Sequence, residues 1–165
     1  MSAKTDYFEN QLTDAIWRGQ SMTIGANKLC WCAAATTVVP PTFYVGLFNV
    51  APTDSTAGTE QTGGSYARQP IVASLANMAG TQAAASTVAS SGTGGTTSNN
   101  AAITFTNMPD TSIGGTNGSV AFGIFDAITA GNLLEYAALT AAPVLASAGA
   151  TLTFAAGALT MQEDN

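Results

Sequence analysis

The stretch SVAFGIFDAITAGNLLEYAALT, residues 119–140, decides how the chain folds. Val120, Phe122 and Ile124 share one side of an extended segment, because successive side chains of a strand point to opposite faces. The run NLLEYAALT at 132–140 follows a short loop that contains Gly131. Two apolar runs joined in this way predict a β-hairpin, with Asp126 and Gly131 at its turn. Asp126 opens that turn, where a short carboxylate bonds nearby backbone.

The same pattern extends in both directions. FYVGLF at 43–48 is apolar on both faces, which predicts a central strand. Pro40 and Pro41 set it off from what precedes. YARQPIVASL at 66–75 predicts a strand on an edge or at a bulge, because Pro70 has no N–H for a ladder. AAITFTN at 101–107 alternates, and ATLTFAAGALTMQ at 150–162 gives two short runs split at Gly157. Short strands at regular spacing with Gly-rich turns predict an all-β domain, a β-sandwich or jelly-roll-like fold. The length of 165 residues suits one domain. The expected division is an N-terminal helix and extended arm over 1–42, then the sandwich over 43–165. Residues 76–100, rich in Ala, Ser, Thr, Gly and Asn, are expected as a flexible surface loop.

The single helix is predicted within TDYFENQLTDAIWRG, residues 5–19. Asp6 and Glu9 have capping-box spacing, and Gly19 supplies the stop. Phe8, Leu12, Ala15 and Ile16 fall on one face, and Asp14 and Arg18 form an i,i+4 pair on the outer side. Tyr7 and Trp17 add a second apolar edge. Two readings stand: the helix packs on its own domain, or Tyr7, Phe8, Leu12, Ile16 and Trp17 form an interface to a partner.

Charge narrows the function. Only 8% of residues are charged and the net charge is −6. After Arg68 the remaining 97 residues carry no base. Nucleic-acid binding needs cations to displace counterions from phosphate, and four scattered bases make no such patch. The most apolar run, 29–39, is about half the ~20 residues a membrane helix needs. No secretory signal opens the chain, which predicts synthesis and assembly in a cytoplasm. Cys30 and Cys32 are spaced C-x-C, and with no His and no third Cys they predict reduced thiols, not a zinc site. No cofactor or metal is expected.

Catalysis fares badly. The chain has no His, the commonest general base. Asp126 and Glu135 flank the hairpin and are the best carboxylate pair for glycoside hydrolysis, but a turn-capping Asp and a solvent-facing Glu explain them as well. Gly63-Gly64-Ser65 lacks the spacing and Lys of a phosphate loop. Gly63 and Gly64 instead suit a tight turn with positive φ. Tyr66 and Arg68 then share a face, and Glu60 is close enough in sequence to fold back on Arg68. The alternative partner for Arg68 is an acid on a neighbouring subunit.

Several stretches in order carry a resemblance: W-R-G at 17–19, FYVGLFNVAPTD at 43–54, GTEQTGGSYARQPI at 58–71, SNNAAITF at 98–105, FGIFDAITAGNLLEYAALT at 122–140 and TFAAGALTM at 153–161. Together they resemble a family of small virion proteins of tailed bacteriophages, labelled tail fibre proteins or capsid cement (decoration) proteins. The pattern covers Glu60, Gly63, Gly64, Tyr66, Ala67, Arg68, Asp126, Gly131, Asn132 and Leu133. The chain is longer than the pattern between Gly19 and Phe43 and between Ser74 and Thr97. The resemblance implies a β-sandwich on the outer surface of the assembled capsid, bound to the major capsid protein as a homotrimer. A tail or tail-fibre component is the alternative. A glycan-binding module using Tyr7, Trp17, Trp31, Tyr44 or Tyr136 is the third reading.

Overall fold

In the computed structural model, residues 4–24, 27–29, 40–110, 118–142 and 144–163 are described. Cys30, Trp31 and Cys32 lie outside them. The chain is all-β with one short N-terminal helix. Its strands group as one sheet of five and three ribbons of two among the described residues, rather than as two large sheets.

The chain also divides differently from the expected arm plus sandwich. One compact unit takes residues Met1–Pro41, Val72–Ala101 and Ala156–Asn165; the other takes Thr42–Ile71 and Ala102–Ala155. The N-terminal arm, the 76–100 segment and the C-terminal strand therefore fold together.

In the first unit, α1 spans Asp6–Ile16. Thr5 is its N-cap, with no side-chain cap bond, so the expected Asp6–Glu9 capping box is not formed. Gly19 stands at φ +65°, and Gln20 N–H donates to Asp14 O at 2.9 Å, closing the helix end. The buried face of α1 is polar: Glu9, Asn10, Thr13 and Asp14, with Ala15. Tyr7 and Phe8 are exposed, at 55% and 37%, and Leu12 and Ile16 are half-buried. Of the expected apolar face, Ala15 is buried, Leu12 and Ile16 are half-buried and Phe8 is exposed, so the most buried stripe is the polar one.

The reason lies in what the helix packs against. Residues 76–100 are mostly small and offer few large apolar side chains. They do offer backbone carbonyls, which need donors once buried. Asn10 Nδ2 donates to Gly92 O at 3.0 Å and Thr13 Oγ1 to Gly95 O at 3.3 Å. Arg18, 0% exposed, makes five hydrogen bonds, as many as a guanidinium has N–H groups. Its acceptors are Asp14 Oδ1, Ser90 Oγ and the carbonyls of Met78, Ser86 and Val88. Asp14 also accepts from Ser90, at Oδ2 from its N–H and at Oδ1 from its hydroxyl. The Asp14–Arg18 pair expected on the outside is therefore the centre of this unit.

The middle of the 76–100 segment is largely exposed, as a surface loop is, but its ends are built into the unit. Met78, Ala79, Thr97, Ser98 and Asn99 are buried at its two ends. It contains β6 (Thr96–Ser98), which pairs antiparallel with β11 (Thr160–Gln162). Asn99 ties this ribbon further: its Oδ1 accepts from Leu159 N–H at 2.9 Å. Within the expected extended arm, β1 (Met22–Ile24) pairs antiparallel with β2 (Asn27–Leu29) as a short hairpin.

The second unit is built on β3 (Thr42–Val50). This strand pairs with β4 (Thr59–Glu60), β5 (Gln69–Val72) and β8 (Ala121–Phe125), and β8 pairs with β9 (Leu133–Ala138). Strand β3 is central, and its Val45 and Leu47 are fully buried. They stand opposite Ile124 and Phe122 of β8, each 2% exposed. Phe48 and Phe125 stack on the other face, with ring centroids 5.8 Å apart. Full burial of such a side chain contributes about 1.5–3 kcal/mol. A ribbon of β7 (Ile103–Phe105) and β10 (Leu152–Phe154) belongs to the same unit.

The first unit's dependence on Arg18 is measurable. Arg18→Ala leaves Asp14 buried and without its cation, and should lower the unfolding free energy by about 3–5 kcal/mol in urea titration. Limited proteolysis should then cut faster within 81–90. A stability change below about 1 kcal/mol would contradict the assignment.

Candidate functional site

Strands β3 and β8 place two glycines directly opposite each other, Gly46 and Gly123. The resulting gap in the sheet face is filled by side chains. A Cβ on Gly46 would lie 2.8 Å from Glu60 Oε1 and 2.8 Å from Phe125 Cε2. A Cβ on Gly123 would lie 2.5 Å from Leu133 Cδ1. The missing Cβ of Gly46 thus lets a carboxylate settle against the backbone of a central strand, while that of Gly123 makes room for Leu133 and Phe48.

That carboxylate is Glu60, and it holds Arg68 in a two-pronged pair. Arg68 Nε donates to Oε1 at 2.8 Å and Nη2 to Oε2 at 2.7 Å. The Arg68 and Glu60 side chains are 8% and 24% exposed. Parallel bonds of this kind are short and directional. Arg68 Nη1 donates to the carbonyls of Ala127 and Ala130, at 2.8 and 2.6 Å. Its Cζ lies 3.3 Å from the centre of the Phe125 ring, a cation–π contact. Tyr66 completes the group. Its hydroxyl donates to Glu60 Oε1 at 3.2 Å and accepts from Leu47 N–H at 2.7 Å. Burial raises the Tyr66 phenol far above its usual 10.0, against the Leu47 bond, and the Glu60 charge adds to the rise.

The turns around this group follow from local chemistry. Gly63 and Gly64 both have positive φ, +94° and +59°. The β8–β9 turn is closed by Asp126, whose Oδ1 accepts from Asn132 N–H and Oδ2 from Asn132 Nδ2, both at 2.7 Å. The Asn132 side-chain bond is the leading cause that lowers the Asp126 carboxyl below its usual 3.8. Gly131, at φ +72°, sits where a Cβ would strike Asp126 Oδ1. A cleft of about 360 Å³ opens beside the pair, lined by Glu60, Gln61, Tyr66, Ala67, Arg68, Ile128, Thr129 and Ala130.

The chemistry of the cleft is that of a clasp. Both oxygens of Glu60 accept from Arg68, and four Arg68 bonds are directed into the protein. A phosphate would have to displace them. The neighbouring-subunit acid is not needed to satisfy Arg68. Asp126 is engaged by Asn132, and Glu135 stands in β9 opposite Ile124, so the proposed carboxylate pair is not arranged around this cleft. No group of three or more His, Cys, Asp or Glu able to hold a metal occurs among the described residues. No helix among them is long and apolar enough to cross a membrane.

The expected helix interface is split. Tyr7 and Phe8 are exposed and Leu12 and Ile16 half-buried, but Trp17 is 4% exposed and donates through Nε1 to Glu163 Oε1 at 2.9 Å. Trp17 is buried in the first unit, with its indole N–H satisfied by the half-buried Glu163.

A family model described as podophage GP4 fiber I protein gp80 matches residues 3–162. The chain belongs to this family. It is accordingly a structural protein of the phage particle. No curated protein matches the sequence. Within this gp80-family chain, the groups that sequence reading missed are Phe125 under Arg68 and the loop carbonyls over it. The usable signal was the scarcity of arginine: the sequence holds only two, although the loops each one binds lie about 60 or more residues away.

Removing the clasp should be costly. Arg68→Ala should cost about 3–5 kcal/mol in denaturant unfolding, with faster amide exchange over 127–131. Arg68→Lys should recover only part of it, since one ammonium cannot bridge the same fork. Unchanged exchange in that loop would contradict the clasp.

Tyr66 predicts an alkaline limit. Its folded pKa is raised, so its contribution is complete below the unfolded value of 10.0 and declines as pH rises past it. Stability measured from pH 8 to pH 11 should fall at the upper end, and Tyr66→Phe should flatten that fall. Parallel curves for the two proteins would refute the role given to the phenol.

Proposed function

We propose that this chain is a fibre-type component of the phage particle and acts by holding other proteins, without catalysis or a cofactor. The match to the fibre family over residues 3–162 carries the reading. The chemistry supports it. The sequence lacks His, and both arginines are internal clasps, which leaves little with which to move protons or grip phosphate. Low charge suits a surface that is buried against protein, since few charges lose their water on docking. In this reading the chain contacts neither nucleic acid nor membrane. It strengthens the assembled particle by binding it and not its separated parts.

A second reading rests on the same resemblance, since the family that GTEQTGGSYAR and FGIFDAITAGNLLEYAALT resemble carries the capsid cement label as well as the tail fibre one. Here the chain lies on the outer capsid surface as a homotrimer against the major capsid protein, and multivalent docking raises its hold. Stoichiometry separates the two. Quantitative mass spectrometry of purified virions should find few copies per particle, released together with tail or fibre components. A complement comparable to the major capsid protein, retained on tailless heads, would favour the second reading. Absence of the chain from purified particles would overturn both.

A further inference from the structure

The second unit contains one base, Arg68, against the acids Asp54, Glu60, Asp110, Asp126 and Glu135. The base is buried on Glu60, so it gives this unit no positive surface. Along the β8–β9 hairpin the outer surface is apolar and acidic. Ile128 at the loop tip is 52% exposed and Leu134 is 48% exposed. Asp126 is exposed at the base of the loop. Exposed Asp54 accepts from the Tyr136 hydroxyl at 3.1 Å, which places a second carboxylate beside β9.

The loop that presents Ile128 is held from both sides. Arg68 grips the carbonyls of Ala127 and Ala130, and Asp126 grips Asn132. Ala130 is fixed at φ +54°, a conformation that residues other than Gly adopt rarely. A loop fixed before binding loses little entropy on docking, and an exposed aliphatic side chain on a rigid base makes an effective anchor. We propose that this hairpin ridge is a docking surface, and that its occupant is a protein of the phage particle presenting an apolar depression bordered by Lys or Arg. This rests on the reading of the chain as a virion structural protein. Charge complementarity selects the occupant. Asp126 at the base of the loop and Asp54 farther along β9 disfavour phosphates and anionic lipids, and they repel the same acidic face on a second copy.

The test uses phage particles assembled with wild-type, Ile128→Ser or Asp54→Asn chain, washed in rising salt, with retained copies measured by quantitative gel. The substituted residues are exposed, so thermal unfolding of each purified variant should match wild type. Ile128→Ser should reduce retention about tenfold, in line with the loss of one buried aliphatic side chain. Asp54→Asn should reduce retention at low salt and flatten the salt dependence. Retention equal to wild type for both variants would overturn the ridge while leaving the virion reading intact. Wild-type chain missing from particles would overturn that underlying reading instead. Self-association of the purified chain that Ile128→Ser abolishes would overturn the choice of occupant, in favour of a second copy.

Discussion

A buried guanidinium surrounded by backbone carbonyls is the interaction on which each half of this molecule depends. Burying a charge costs several kcal/mol unless it is paired and fully hydrogen-bonded. Arg18 and Arg68 both meet that condition, each with one carboxylate and several acceptors from a loop. The loops concerned consist largely of Ala, Ser, Thr and Gly, and they cannot supply a dense apolar core. They can supply carbonyls. One arginine with its N–H fork organises several of these at once, which a single apolar side chain cannot do.

This arrangement explains which parts of the fold were legible in the sequence. The strands around Val45, Leu47, Phe122 and Ile124 announced themselves, because alternation and two-faced apolarity act locally. The β8–β9 hairpin followed from Gly131 and its flanking runs. The orientation of α1 did not, because helical periodicity assumes that the apolar stripe faces inward. Here the partner surface offers backbone carbonyls, so the donors Asn10 and Thr13 face in, Asp14 turns in to accept from Arg18 and Ser90, and Tyr7 and Phe8 face out. The middle of the 76–100 segment is largely exposed, as its loop composition suggests, but the side chains that anchor it come from far away in sequence. For the site, Glu60 and Arg68 were visible as an acid and a base across a Gly-Gly turn. The Gly46–Gly123 gap, the Phe125 ring and the carbonyls of Ala127 and Ala130 were not, since they meet only once the strands are in register.

The clasps also shape what the surface can do. Burying both arginines removes them from contact with phosphate or lipid headgroups, and it leaves the second unit acidic outside. A particle component with such a surface is suited to protein contacts of modest charge, consistent with membership in a phage fibre family. The same buried Arg68 ties the β8–β9 loop down through the carbonyls of Ala127 and Ala130.

The most direct measurement is nitrogen-edited NMR of the arginine side chains in the intact protein. The account predicts that Arg18 and Arg68 each give resolved, slowly exchanging Nη–H signals, because rotation about the Cζ–N bonds would break several hydrogen bonds at once. Averaged signals in fast exchange with water for either arginine, from a folded protein, would contradict it.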